Sequence, residues 1–186
     1  VETEWRAQID TALAAGIDVT HLDAHMGSAL GPEWCDRYIN VGIDYEIPVL
    51  ITRALSMYGP NNHLDDVTDM DFECFVAQAE AAQMPVFDEV LETDFSRPRG
   101  EPTAYETMLT ASDVLAHDLV FCAFHPNALG PGEIEVIEPD TWHVRTDEHA
   151  LFGTDEWLAF LDAQPFELTT MRELRAEYRT ATARQQ

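Results

Sequence analysis

The chain has 186 residues, 46% of them hydrophobic and without an internal repeat, which predicts a sizeable core and one domain spanning residues 1–186. Its formal net charge of -25 comes from 35 acidic residues against ten basic ones, and every basic residue is an arginine. Such a field repels polyanions, which excludes nucleic acid and anionic membrane surfaces as partners; it suits a neutral substrate, a bound cation or a high-salt cytoplasm.

Glu2 to Ala15 places Trp5, Ile9, Leu13 and Ala12 on one helical stripe, and Gly16 is a natural stop. Val19 to His25 reads as a strand. A second helix starts after Pro32, carries Trp34, Tyr38 and Ile39, and ends before Ile47-Pro48-Val49-Leu50-Ile51, a buried strand by its apolar run. Tyr58 to Asp66 is a polar loop. Asp66 to Gln83 is amphipathic, with Met70, Phe72, Phe75, Val76 and Ala79 on the apolar side, and Met84 to Val90 reads as a short strand.

Two prolines and a glycine make Thr93 to Pro102 an irregular surface loop. Thr103 to Ala116 is helical by pattern, and Asp118 to Phe124 is a strand whose continuous apolar run would bury Cys122. His125-Pro126 marks its end, because proline has no N–H to give a ladder. After a loop from Asn127 to Gly132 come short helices near Pro139 to Leu151 and Thr154 to Ala163, a strand at Phe166-Glu167-Leu168, and a last helix from Met171 to Ala183. Alternating strands and helices imply βαβ units around a parallel sheet, with the chemistry at the carboxyl ends of the strands.

No run of about eighteen apolar residues is present, and the acidic start does not resemble a signal peptide, so a soluble protein is expected. Cys35, Cys74 and Cys122 are odd in number and without close pairing, which fits a reducing, cytoplasmic compartment better than a disulfide framework.

Two places meet the strand-end description. In the first, alternation along a strand sends His21, Asp23 and His25 to one face and Leu22 and Ala24 to the other. Two imidazoles around a carboxylate suit a divalent cation, with neutral ring nitrogens as donors and the carboxylate fixing a tautomer; they also fit histidines that cap a strand end. The helical zinc-protease pattern does not apply, since leucine stands second and the acid third. In the second place, His125 follows a wholly apolar strand, which fits equally a general acid and a strand-end ring bonded to a loop carbonyl. His63, His117, His143 and His149 sit in loops or on polar faces without an assigned role, and Arg145 and Asp147 read as a surface pair. There is no GxGxxG, Walker loop or GxSxG elbow.

The run from Ile9 through Thr20-His21-Leu22-Asp23-Ala24-His25-Met26-Gly27 resembles the YdjC-like (ChbG/HpnK) carbohydrate deacetylases, which show Thr-His-Leu-Asp-Ser-His after a helix. Phe124-His125-Pro126 is similar to their strand-end His-Pro, and Trp142 to Asp147 and Met171 to Leu174 resemble their closing segment. The resemblance implies a (β/α) barrel-like fold and a divalent metal ion, magnesium or zinc, that activates water to remove an N-acetyl group from an amino sugar. It implies His25 as metal ligand, Asp23 as its catalytic support, His21 as a neighbouring ligand and His125 as the group assisting departure of the amine. The family's opening strand ends in Asp-Asp-Phe-Gly, which supplies its presumed base. That motif has no counterpart in this sequence. The expectation is therefore a fragment lacking the first strands, because a barrel without them would expose a sheet edge. The alternative is a non-catalytic sugar-binding or scaffold relative. An N-acetylated sugar is the expected partner, and a homo-oligomer is compatible with this reading.

Overall fold

The structure is a computed structural model and describes residues 1–53, 55, 64, 67–128 and 132–184. It is mixed α/β, with helices around parallel pairings, and divides into two compact units, Val1–Asp88 with Leu168–Gln186, and Glu89–Glu167. The polar loop expected from Tyr58 to Asp66 falls largely outside the described residues, as do His63 and part of the loop after Asn127.

In the first unit, α1 (Glu2–Ala14) ends at Ala15, and Gly16 takes φ +78, a left-handed conformation open to glycine at little cost. The expected strand from Val19 to His25 contracts to one parallel bridge, Leu22 to Val49, in which the Leu22 N–H donates to Pro48 O at 2.9 Å and the Leu50 N–H to Leu22 O at 2.8 Å. The chain then turns: Met26 (φ 55) and Gly27 (φ 69) are both left-handed, and the Gly27 N–H closes on Ala24 O. The crossover helix α2 (Cys35–Tyr45) ends with Glu46 left-handed and the Ile47 N–H bonded to Gly42 O at 2.9 Å. A second parallel bridge joins Thr52 to Phe87 across α3 (Asp69–Ala81), whose Thr68 cap accepts from the Asp71 N–H.

Ile39, Val49, Ile51, Phe72 and Ala79 are buried at the centre of this unit, each apolar residue worth roughly 1.5–3 kcal/mol if as large as valine or phenylalanine. Met70, expected on the apolar side of α3, is instead 74% exposed, because it lies in the first turn, off the Phe72-Val76-Ala79 stripe. The C-terminal helix α8 (Met171–Ala183) begins with a Thr170/Glu173 capping box, and Arg175 reaches Asp18 at 2.6 Å and Val19 O at 2.5 Å.

In the second unit, β1 (Glu89–Glu92) and β2 (Val120–Ala123) pair in parallel, Glu89 beside Val120 and Glu92 beside Ala123. Between them the expected helix from Thr103 to Ala116 breaks into α4 (Tyr105–Leu109) and a single 3₁₀ turn, Val114–Ala116, since the Thr110 hydroxyl bonds back to Glu106 O and Ser112 and Asp113 favour turn geometry. After β2 come α5 (Ile134–Ile137), α6 (Trp142–Phe152) and α7 (Asp155–Asp162). Leu91, Tyr105, Leu109 and Trp157 form the core, with Phe124, Phe152 and Phe160 packed against it. β2 is only partly buried and Cys122 is exposed, contrary to its apolar run. Phe166 to Leu168 forms no strand; Leu168 is 71% exposed and follows a proline by three residues. The pairings among the described residues are parallel, as alternation predicts, without a closed barrel. No helix among them is long and apolar enough to cross a membrane.

Gly42 is where the fold leaves no room: a Cβ there would lie 2.7 Å from both Ile47 O and the Val49 side chain. Gly42→Ala should lower unfolding free energy by about 1–3 kcal/mol as an overpacked site. Gly31→Ala, with nothing within 4 Å, should be near neutral in the same urea melts.

Candidate functional site

The His21 to His25 segment lies in the first unit. His21 flanks the Leu22 bridge and is half-buried; its Nδ1 lies 2.9 Å from the Thr20 hydroxyl, and burial pushes its pKa below the ordinary histidine value against the opposing pull of Asp23. A neutral ring is the form that can donate to a metal. Asp23 and His25 are exposed. His25 opens the 3₁₀ turn His25–Gly27, and Ala24 before it (φ -91, ψ 81) has already left the extended conformation. Strand alternation therefore relates His21 to Asp23 and stops short of His25.

A catalytic zinc takes three protein ligands and keeps an open position. Among the described residues, no group of three or more histidine, cysteine, aspartate or glutamate side chains is placed to hold a metal ion. His21, Asp23 and His25 do not make a metal centre by themselves.

The second unit holds a closed polar cluster around His125. Glu148, on α6, is 0% exposed, and its carboxylate collects three donors: the Thr93 hydroxyl at 2.6 Å and the Tyr105 hydroxyl on Oε1, and the His125 backbone N–H at 2.7 Å on Oε2. Three donors compensate much of the cost of burying a carboxylate, which is otherwise several kcal/mol. The same Thr93 Oγ1 lies 2.9 Å from His125 Nδ1. Thr93 directly follows β1 and His125 follows β2 by two residues, so both stand at the carboxyl ends of parallel strands. The Phe95 ring lies 5.1 Å from the His125 ring, and the Arg145 guanidinium lies 4.9 Å from the centre of the Phe95 ring.

Thr93, Tyr105 and Glu148 escaped the sequence reading. Glu148 had one legible signal, for it stands four residues after Val144 and four before Phe152 on the inward face of α6, where the pattern calls for an apolar residue. The loop from Thr93 to Pro102 is irregular as expected, yet Thr93 and Arg97 are 4% and 8% exposed. Arg97 donates to Asp147 at 2.6 Å and to Glu101 O, while Arg145 reaches Glu138 at 3.3 Å. The expected Arg145–Asp147 pair is thus replaced, because residues two apart on a helix point away from each other. His143 Nε2 lies 2.9 Å from Arg97 O, and His117 lies 3.2 Å from Glu89.

The family described as YdjC-like protein matches residues 1–163 of this chain, a span that includes both clusters. No curated protein matches it.

Burial first, and then the bond to Glu148, pushes the Tyr105 phenol well above its ordinary pKa. A group whose folded-state pKa is raised contributes stability that is complete below the unfolded value, about pH 10, and is lost as pH rises through the folded one. Tyr105→Phe should therefore cost about 1–3 kcal/mol near neutrality by leaving Glu148 one donor short. Its stability should also fall less steeply than that of the wild type between about pH 9 and about pH 11. Urea melts at the two pH values read both effects; equal slopes would remove Tyr105 as the alkaline-sensitive group.

Proposed function

We propose, from the premise that the chain belongs to the YdjC-like family, that it is a carbohydrate deacetylase on a barrel-like fold, hydrolysing the N-acetyl amide of an amino-sugar oligosaccharide to acetate and a free amine. The observation that supports this is His125, held at the end of β2 by its own backbone N–H and by its ring. In amide hydrolysis, water adds to the carbonyl carbon, and the C–N bond then breaks only if the nitrogen receives a proton. A positioned imidazolium supplies it, and such general acids contribute typically 10²–10⁴-fold. With Nδ1 engaged by Thr93, the proton passes from Nε2. The strongly acidic surface suits this uncharged substrate.

A divalent ion, magnesium or zinc, belongs to the proposal with His25 as its donor, His21 beside it and Asp23 as support. The described residues contain no complete donor set for it, so the proton transfer is assigned to side chains of this chain alone.

Supplied with magnesium or zinc, the protein expressed from its full reading frame should release acetate from N-acetylated glucosamine oligosaccharides. His125→Ala should reduce kcat by about 10²–10⁴-fold with little change in KM, and His25→Ala should abolish release. Calorimetric binding of the oligosaccharide with no acetate from the wild type would instead identify a sugar-binding relative without catalysis. Undiminished turnover in both variants would sink the site assignment.

A further inference from the structure

We propose that Glu148, acting through the Thr93 hydroxyl, is a positioning residue that fixes the His125 ring as its Nδ1–H tautomer and makes Nε2 the nitrogen that exchanges protons.

Thr93 has one hydroxyl hydrogen and three neighbouring acceptors or ring atoms: Glu148 Oε1 at 2.6 Å, His125 Nδ1 at 2.9 Å and Ala123 O at 3.5 Å. An ionised carboxylate has no hydrogen and can only accept. Both Glu148 oxygens face donors, since Oε2 takes the His125 backbone N–H and Oε1 takes the Tyr105 hydroxyl. The buried carboxylate is thus best satisfied in its charged form, and the contact of 2.6 Å has the length of a charge-assisted O–H···O⁻ bond. The Thr93 hydrogen then belongs to Glu148, so the Thr93 oxygen must accept from His125. The ring nitrogen facing it, Nδ1, carries a hydrogen.

Glu148 holds His125 twice, by its main chain directly and by its ring through Thr93. Other charged and titratable groups around the cluster include Tyr105 on α4, Arg145 above the Phe95 ring that packs on His125, and Arg97 and Asp94, which act on Tyr105. The path from Glu148 to the ring runs through the Thr93 hydroxyl, which lies 2.6 Å from Glu148 Oε1 and 2.9 Å from His125 Nδ1. This inference rests on the reading of His125 as the proton donor only for its catalytic consequence; the tautomer can be measured independently.

The test is NMR of the full chain carrying isotope-labelled histidine, at a pH where the rings are neutral, with His125 assigned by loss of its signals in His125→Gln. The wild type should show His125 as Nδ1–H. Thr93→Val keeps the shape and removes the hydroxyl, and should shift the tautomer ratio toward Nε2–H by roughly tenfold, the scale of one lost hydrogen bond. Thr93→Ser should restore the wild-type spectrum, and Glu148→Gln, if it folds, should shift it as Thr93→Val does. A wild-type ring in the Nε2–H form, or Ser and Val variants with the same spectrum, would overturn the proposal. In acetate release, Thr93→Val should lower kcat and leave KM within about twofold, the mark of a transition-state effect. Tautomer shifts as expected in a chain that releases no acetate would remove the deacetylase reading and uphold the Glu148–Thr93–His125 assignment.

Discussion

A buried carboxylate must be met by donors or the fold around it fails, and in the second unit that requirement falls on Glu148. Its three bonds run to the end of β1, to α4 and to the end of β2, so one side chain on α6 joins four segments of the unit. The aromatic core beside it adheres without direction: Tyr105 packs edge-on to Phe124 at 4.9 Å and lies 5.3 Å from Phe152. Apolar packing of this kind tolerates small slips. The hydrogen bonds to Glu148 do not, and they hold Thr93 and His125 in a defined register.

The same physics explains which parts of the structure were legible in the sequence. The helices α1, α2, α3 and α8 announce themselves through local features: an apolar stripe, a cap such as Thr68 or Thr170, a stop such as Gly16. The end of β2 at His125-Pro126 was equally local. The strand from Val19 to His25 was legible only as far as its pairing, because the left-handed pair Met26-Gly27 turns the chain immediately after the histidine motif. Thr93, Tyr105 and Glu148 were illegible as a group, since Thr93 and Glu148 lie 55 residues apart and neither belongs to a recognisable motif. Their partnership exists only after α6 has folded against the strand ends.

The arginines repeat this lesson with opposite charge. In a chain of net charge -25, a guanidinium has many carboxylates to choose from, and sequence proximity does not decide which it takes. Arg97 is 8% exposed and holds both Asp147 and the Glu101 carbonyl, so it pins an irregular loop that contains two prolines. Arg175 does the same for the segment ahead of His21, where it joins Asp18 and the Val19 carbonyl to α8. A planar fork that serves a carboxylate and a main-chain oxygen together is a role lysine fills poorly, which gives a structural use for a basic complement made wholly of arginine.

On sequence grounds His125 fits equally a strand-end ring bonded to a loop carbonyl and a working acid, and the geometry adds a second tie that the proposed acid uses. A carbonyl would fix Nδ1–H, but it would hold the ring alone. Here the acceptor is a hydroxyl oriented by a buried carboxylate that also binds the His125 main chain, so ring and backbone are tied to one anchor. A residue needed only to end a strand has no use for that second tie, because Pro126 already ends the ladder. Burying a carboxylate carries a cost that an apolar residue at position 148 would avoid, and the excess is explained if His125 must present one nitrogen in one orientation.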